Sequence, residues 1–391
     1  MNKLVLNRFV IIVSLLSLYV SFEIKADLKK DSFVADNLVQ QWYMKASNTG
    51  RNDHFGGQIA MSDDTLVISS VNEYSSSIGV NGNQENDSMP FAGAVYIYKR
   101  IENVWVKEAY IKASNTNAND SFGYSIAISG DTLVVGAPDE DSNADDINGD
   151  QTNNDGDAVG AAYVFTRTNG AWVQQAYLKA SNAETNDMFG YTVAINGDTI
   201  AVGAINESSD ATGVDGDQAN NDGFQSGAVY LFQRESGSWF QQSYLKPFDT
   251  ENLQHFGESL ALTDSVLAIG SSWKRVGDYT NAGAVYVYEY SSDLSLWLET
   301  AYLTASNPGG NDNFGHSLGI HENTMVIGAR REAGSGTGIN PVHNDDAEQS
   351  GAVYVFENTN DGWVQQAYIK PSNTDEGDQF GISLSVLDEK I

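Results

Sequence analysis

The dipeptide Phe-Gly recurs six times, at Phe55-Gly56, Phe122-Gly123, Phe189-Gly190, Phe256-Gly257, Phe314-Gly315 and Phe380-Gly381, with spacings of 67, 67, 67, 58 and 66 residues. Recurrence at a near-constant period means that one supersecondary unit is repeated, so the chain builds an array of like modules. One unit reads FGYSIAISGDTLVVGAPDE, then a polar loop, then GAAYVFTRTNGAWVQQAYLKASN. Six units begin and five are completed before Ile391.

Each unit holds four short β-type runs separated by turn chemistry. The first, such as Gly123 to Ile128, meets the second, Leu133 to Ala137, through the tight turn SGD, with NGD at Asn196 to Asp198 and SDD at Ser62 to Asp64 as equivalents. The third starts at Gly93, Gly160, Gly227, Gly283 and Gly351, and the fourth is opened by Trp105, Trp172, Trp239, Trp297 or Trp363. No segment sustains a 3.6-residue period with caps, so helix is expected to be nearly absent.

Four antiparallel strands repeated radially make a β-propeller. A lone four-stranded sheet cannot bury both faces, whereas stacking against neighbours does so. The recurring aromatics are the filling: each Phe or Trp buries roughly 150–250 Å², about 4–6 kcal/mol of gross transfer energy before entropy. The Gly of Phe-Gly is expected to permit close backbone approach or a positive φ.

Phe122-Gly123, Gly136-Ala137-Pro138 and the GAVYVF runs, with echoes at Gly203-Ala204, Gly270-Ser271 and Gly328-Ala329, resemble the FG-GAP repeat of integrin α-chain head propellers and of bacterial secreted relatives. The resemblance covers about residues 38 to 391. Only one unit has the full Gly-Ala-Pro, and Ser69-Ser70 stands in its place in the first. The resemblance implies an all-β propeller with the Phe-Gly strand innermost and the Trp strand outermost. It implies five complete blades plus a partial sixth, from Phe380 to Val386, truncated from a seven-bladed ring; a six-bladed ring with a thin last blade is the rival. It also makes Leu38 to Ser47 an outer strand that completes the last blade.

Residues 1–26 read as a secretory signal: Lys3 and Arg8 precede a 14-residue apolar run, Phe9 to Phe22, and Ala26 follows at a plausible cleavage point. An uncleaved anchor is the alternative, against which the run is short. The repeats then occupy 27–391, and the protein is expected to be secreted, periplasmic or on the cell surface, without membrane insertion after cleavage. With 52 acidic and 21 basic side chains the net charge is −31. That excess repels nucleic acid and anionic membranes. The absence of Cys excludes disulfides, thiolate metal sites and a cysteine nucleophile.

The loops between the second and third runs are rich in Asp, Asn and Gly, and a fourth, more divergent one spans Glu332 to Gln349. Asp146, Asn148, Asp150, Asp155 and Asp157 in one loop, and Asp215, Asp217 and Asp222 in another, are candidate oxygen ligands for calcium, a hard cation that takes six to eight oxygens. Against this, the first set lacks the Gly and terminal Glu of an EF-hand loop, and integrin calcium loops lie between the first two strands. Solvated turns are the alternative. Asp53, Asp120, Asp187, Asp312 and Asp378 stand two residues before each Phe, with Gln254 in the fourth unit. A residue repeated in every blade belongs to the blade, so these are expected to accept backbone N–H groups at the turn. His54, His255, His316, His321 and His343 form no recognisable metal or catalytic motif.

The expectation is a non-enzymatic binding or adhesion-like scaffold using its rim loops, with calcium as its candidate stabilising ion and a protein or glycan partner at a cell surface. The alternative is a glycan-active hydrolase or lyase with its site at the channel mouth, for which His, Arg and carboxylates converging there from different blades would speak.

Overall fold

A computed structural model describes residues 40–386; the expected leader, 1–26, lies outside them. The chain divides into 1–44 and 45–391. In the first unit the described residues 40–44 carry no strand. In the second, the described residues contain no helix and five antiparallel sheets.

The first sheet comprises β1 (Phe55–Ser62), β2 (Thr65–Ser70), β3 (Ala94–Ile101) and β4 (Val104–Ile111). The second comprises β5 (Ser125–Ser129), β6 (Thr132–Ala137), β7 (Ala161–Thr168) and β8 (Ala171–Leu178). The third comprises β9 (Phe189–Asn196), β10 (Thr199–Ala204), β11 (Ala228–Glu235) and β12 (Ser238–Leu245). The fourth comprises β13 (Ser259–Leu262), β14 (Val266–Ser271), β15 (Ala284–Ser291) and β16 (Leu296–Leu303). The fifth comprises β17 (Phe314–His321), β18 (Thr324–Ala329), β20 (Ala352–Thr359) and β21 (Gly362–Lys370), with the two-residue β19 (Gly338–Ile339) added outside β21. Strand order follows chain order in the first four, the meander of a propeller blade.

The turn chemistry explains the hairpins. β5 and β6 are joined by Gly130-Asp131, with Gly130 at φ 55°. The Asp131 carboxylate then accepts Arg167 Nε from the third strand at 2.7 Å, as Asp64 accepts Arg100 and Asp198 accepts Arg234. Each pair of third and fourth strands slips register at the same place, Val164/Phe165 in blade 2. Such a bulge adds twist, which lets neighbouring sheets splay around an axis.

The cores lie between blades. Four apolar clusters each combine residues of two consecutive sheets, as where Val134, Ala162 and Leu178 pack with Phe189, Val202 and Tyr230. Phe122, Phe189, Phe256 and Phe314 are fully buried and meet a third-strand Tyr edge-on, Phe189 on Tyr230 at 5.3 Å. Three of the five outer Trp residues reach back: Trp172 Nε1 donates to Glu108, Trp239 to Gln175 and Trp297 to Gln242. The Phe-Gly glycine has both expected properties. Gly190 lies at φ 90°, and a Cβ there would stand 2.2 Å from the Ala161 carbonyl oxygen.

Two expectations are corrected. Residues 40–46 of the anticipated outer strand Leu38 to Ser47 form no strand; Lys45 accepts Tyr98 OH through its carbonyl, and Asn48 is committed to the side-chain network described below. In the partial sixth unit the described residues after Phe380 form no strand either. Phe380 makes one isolated parallel bridge, to Gly351.

Candidate functional site

Three groups of polar residues could carry function: the loop carboxylates, the repeated buried charges, and the residues around the axis.

All eight candidate calcium ligands are exposed. Asn148 and Asp215 sit at φ 58° and 54°, where Asn and Asp are tolerated, and their Oδ1 atoms accept the N–H of Tyr177 and Tyr244 at 3.0 and 2.9 Å. The same clasp is made by Asn81 and Asn340, so it docks each long loop onto an outer strand. Asp150 accepts from Thr152 N and Oγ1, and Asp217 from Ala219 N. These are Asx turns within the loop. Asp157 lies beside Asp139 and Asp141 in a shallow pocket, and burial, then the Asp141 and Asp157 charges, pushes the Asp139 carboxyl up. Asp146, Asp155 and Asp222 face solvent. Among the described residues, no group of three or more His, Asp or Glu is arranged to hold a metal ion.

The repeated carboxylates act as expected. Asp120 Oδ2 accepts Asn117 N at 2.8 Å, Asp187 Oδ2 accepts Glu184 N at 3.0 Å, and Gln254 Oε1 accepts Glu251 N at 3.2 Å. Burial pushes Asp120 and Asp312 up to about 7 and Asp187 up to about 8, with Glu207 adding to the last. A group held above its ordinary range gains a proton on folding. Its stabilisation is therefore present in acid and lost as pH rises through 7 to 8. The amide of Gln254 does the same work without charge. Melting is accordingly expected at a higher temperature at pH 5.5 than at pH 8.5, with Asp187→Asn narrowing the difference; identical pH profiles for the variant and the parent would refute this.

The sequence reading missed a buried ion pair in every blade but one. Lys112, Lys179, Lys246 and Lys370 follow the fourth strand's apolar end and are essentially inaccessible. Their ammonium groups meet Glu73, Glu140, Glu207 and Glu332 at 2.8, 3.0, 2.8 and 2.8 Å. The glutamates also bind the Asn that enters from the preceding repeat, Asn48, Asn115, Asn182 or Asn307. A third-strand Tyr then donates to that Asn, as Tyr163 OH does to Asn115 at 2.6 Å. Blade 4 inverts the charges: Lys274 replaces the Glu, Thr304 the Lys, and Asp249 the Asn, and Lys274 pairs with Asp249 at 2.9 Å. The findable signal was a Lys and a Glu recurring about 39 residues apart. Burial lowers the Lys179 pKa and Glu140 opposes that.

The third group surrounds a cavity of about 490 Å³ lined by the inner runs of all six units. The residue after each Phe-Gly faces it: Gly57, Tyr124, Tyr191, Glu258, His316 and Ile382. The period thus places chemically different side chains at equivalent points. Glu258 Oε1 lies 3.0 Å from His316 Nδ1, and Ser272 Oγ donates to Oε2. Burial raises the Glu258 pKa, but the bonds from His316 and Ser272 more than offset it and hold the carboxyl below its ordinary range. The Tyr124 and Tyr191 rings lie 4.9 Å apart. Only His316 of this set was singled out from sequence; His255, of the preceding unit, stacks on Trp273 at 4.6 Å. His321 ends β17 at the opposite end of that strand, His54 bonds Asn72, and His343 packs on Tyr368.

No curated protein is similar enough to this chain to count as a match. Among the described residues no helix is long and apolar enough to cross a membrane. The family described as FG-GAP repeat matches residues 105–165, 172–232, 239–288 and 297–356. Each match runs from an outer Trp strand into the next blade's third strand, the stretch over which the inter-blade contacts recur. More than half of the sequence is covered, and the chain belongs to the FG-GAP repeat family.

Proposed function

We propose that this protein is a secreted or cell-surface, non-enzymatic binding scaffold that engages a partner protein or glycan through its acidic rim loops. The observation that carries the reading is a shared internal stitching of the long loops. Ser142 Oγ donates to Asp150 O and Ser209 Oγ to Asp217 O, each at 2.8 Å. Asn143 N and Asp210 N donate to Asn153 and Asn220 Oδ1, each at 3.0 Å, and Ser76 and Ser335 make the same bond to Asn86 and Asn344. The loop backbone is set before any partner arrives, while carboxylates such as Asp145, Asp155 and Asp222 point to water. Preorganised loops lose less entropy on binding. A net charge of −31 steers association toward a basic patch.

The test is an array of cell-surface proteins and glycans probed with the parent and with Asp145→Asn, Asp155→Asn and Asp222→Asn combined. Exposed substitutions of this kind change stability by only about 0.5 kcal/mol. The expected result is a salt-sensitive ligand lost in the variant at unchanged melting temperature. A ligand retained by the variant, or a glycan cleaved by the parent, would count against the reading.

A further inference from the structure

The axial cavity contains a cluster that neither the blade architecture nor the rim reading uses. At the equivalent position in the other blades the axis-facing residue is Gly57, Tyr124, Tyr191 or Ile382, so the fold requires no charge there. Blades 4 and 5 nonetheless place Glu258 and His316 side by side across their interface, with side chains 8% and 19% exposed. Carboxylate burial at this level is costly unless the charge is bonded, and two donors are supplied, Ser272 and His316. An ionised carboxylate at the wall of a cavity, where the equivalent residues of the other units carry no charge, offers an acceptor that the blade architecture does not use.

Polar satisfaction is also incomplete at this corner. His255 Nε2, Asn313 Oδ1 and Arg330 Nε are sealed from solvent and have no hydrogen-bond partner, three of seven such atoms among the described residues. They are linked to the cluster. Asn313 Nδ2 donates to Ser272 O at 3.2 Å, His255 stacks on Trp273, the neighbour of Ser272, and the Arg330 charge is felt by Tyr191. Orphaned buried polar atoms are rare, and although none of these three residues lines the cavity itself, their concentration sets this corner apart from the other blade interfaces.

We propose that the mouth of the axial cavity between blades 4 and 5 binds a short, uncharged carbohydrate. The cavity, about 490 Å³, is in the size range of small-molecule sites. Its wall includes Tyr124 and Tyr191 together with Glu258, His316 and Gln58. An anion would oppose Glu258 and the net charge of the chain. A cation would be drawn to Glu258 but would leave the Gln58 amide donor without an acceptor. Hydroxyl groups donate to the carboxylate and accept from donors at once, and the C–H face of a sugar ring suits an aromatic wall. Glu258 is the principal acceptor, and His316 is a positioning residue through its bond to Glu258.

The experiment titrates the full chain, by calorimetry and tryptophan fluorescence, with malto-, cello-, xylo-, manno- and chito-oligosaccharides. Oligogalacturonate serves as an anionic probe and choline as a cationic one. The expected result is saturable binding of at least one neutral saccharide. Glu258→Gln and Tyr191→Ala should each weaken it about tenfold or more, with His316→Asn weakening it less and Glu235→Gln, an exposed strand-end change, leaving it as it was. Melting curves show whether each variant is folded, and if Glu258→Gln is not, Tyr191→Ala decides. The proposal is overturned if no neutral saccharide binds at about 10 mM, if only oligogalacturonate or choline binds, or if binding survives in folded Glu258→Gln or Tyr191→Ala.

Discussion

Replacing Lys179 with methionine is expected to destabilise the protein by about 3–5 kcal/mol, the range for removing one partner of a buried ion pair. Lys179 is 1% exposed, and its ammonium is bonded to Glu140, to Ser142 O and to Gly160 O. Methionine fills a similar volume but leaves Glu140 charged in a site without solvent, together with two carbonyls that lose their donor. The measurement is urea unfolding of the parent and the variant. A loss below about 1 kcal/mol would place the pair among ordinary surface bridges and contradict its burial. Blade 4 supplies the internal control. Lys274→Glu alone sets a third carboxylate near Asp249 and Glu251, which Lys274 now bridges. Adding Thr304→Lys and Asp249→Asn recreates the arrangement of the other blades and should recover most of the loss. A triple variant no more stable than the single one would mean that the charges do not act as a unit.

Gly160→Ala is the second large effect, expected to cost about 2–5 kcal/mol from a left-handed backbone and a backbone clash together. Gly160 lies at φ 88°, and a Cβ there would stand 2.1 Å from the Phe189 carbonyl oxygen of the next blade. Unlike a side chain, that oxygen cannot rotate away, because Gly160 and Phe189 are bridged in parallel and Phe189 N donates to Val159 O at 3.0 Å. The substitution therefore separates two blades. Gly170→Ala is the comparison: it also has positive φ, 79°, but no neighbour lies within 4 Å of its Cβ. Chemical denaturation of both should show the Gly160 variant clearly the weaker; equal losses would show that backbone strain alone, without the close approach, sets the cost.

The division between sequence and tertiary structure follows from the repeat. A period of about 67 residues with four β-type runs determined the all-β architecture and the structural role of Asp120 and its equivalents, and the resemblance to the FG-GAP repeat added the inner position of Phe-Gly, because each of these depends on contacts repeated from blade to blade. What the sequence left open depends on which residues meet across blades. Lys179 and Glu140 are 39 positions apart and look like solvated charges until folding buries them together. Glu258 and His316 are 58 apart in the one stretch where the period shortens, and neither forms a local motif. Their meeting is set by packing β13 against β17 at the axis. In the long loops, only folding shows that Asn148 and Asp215 bond the outer-strand N–H groups of Tyr177 and Tyr244, whereas the turns closed by Asp150 and Asp217 are local, because each carboxylate accepts the backbone N–H two residues on.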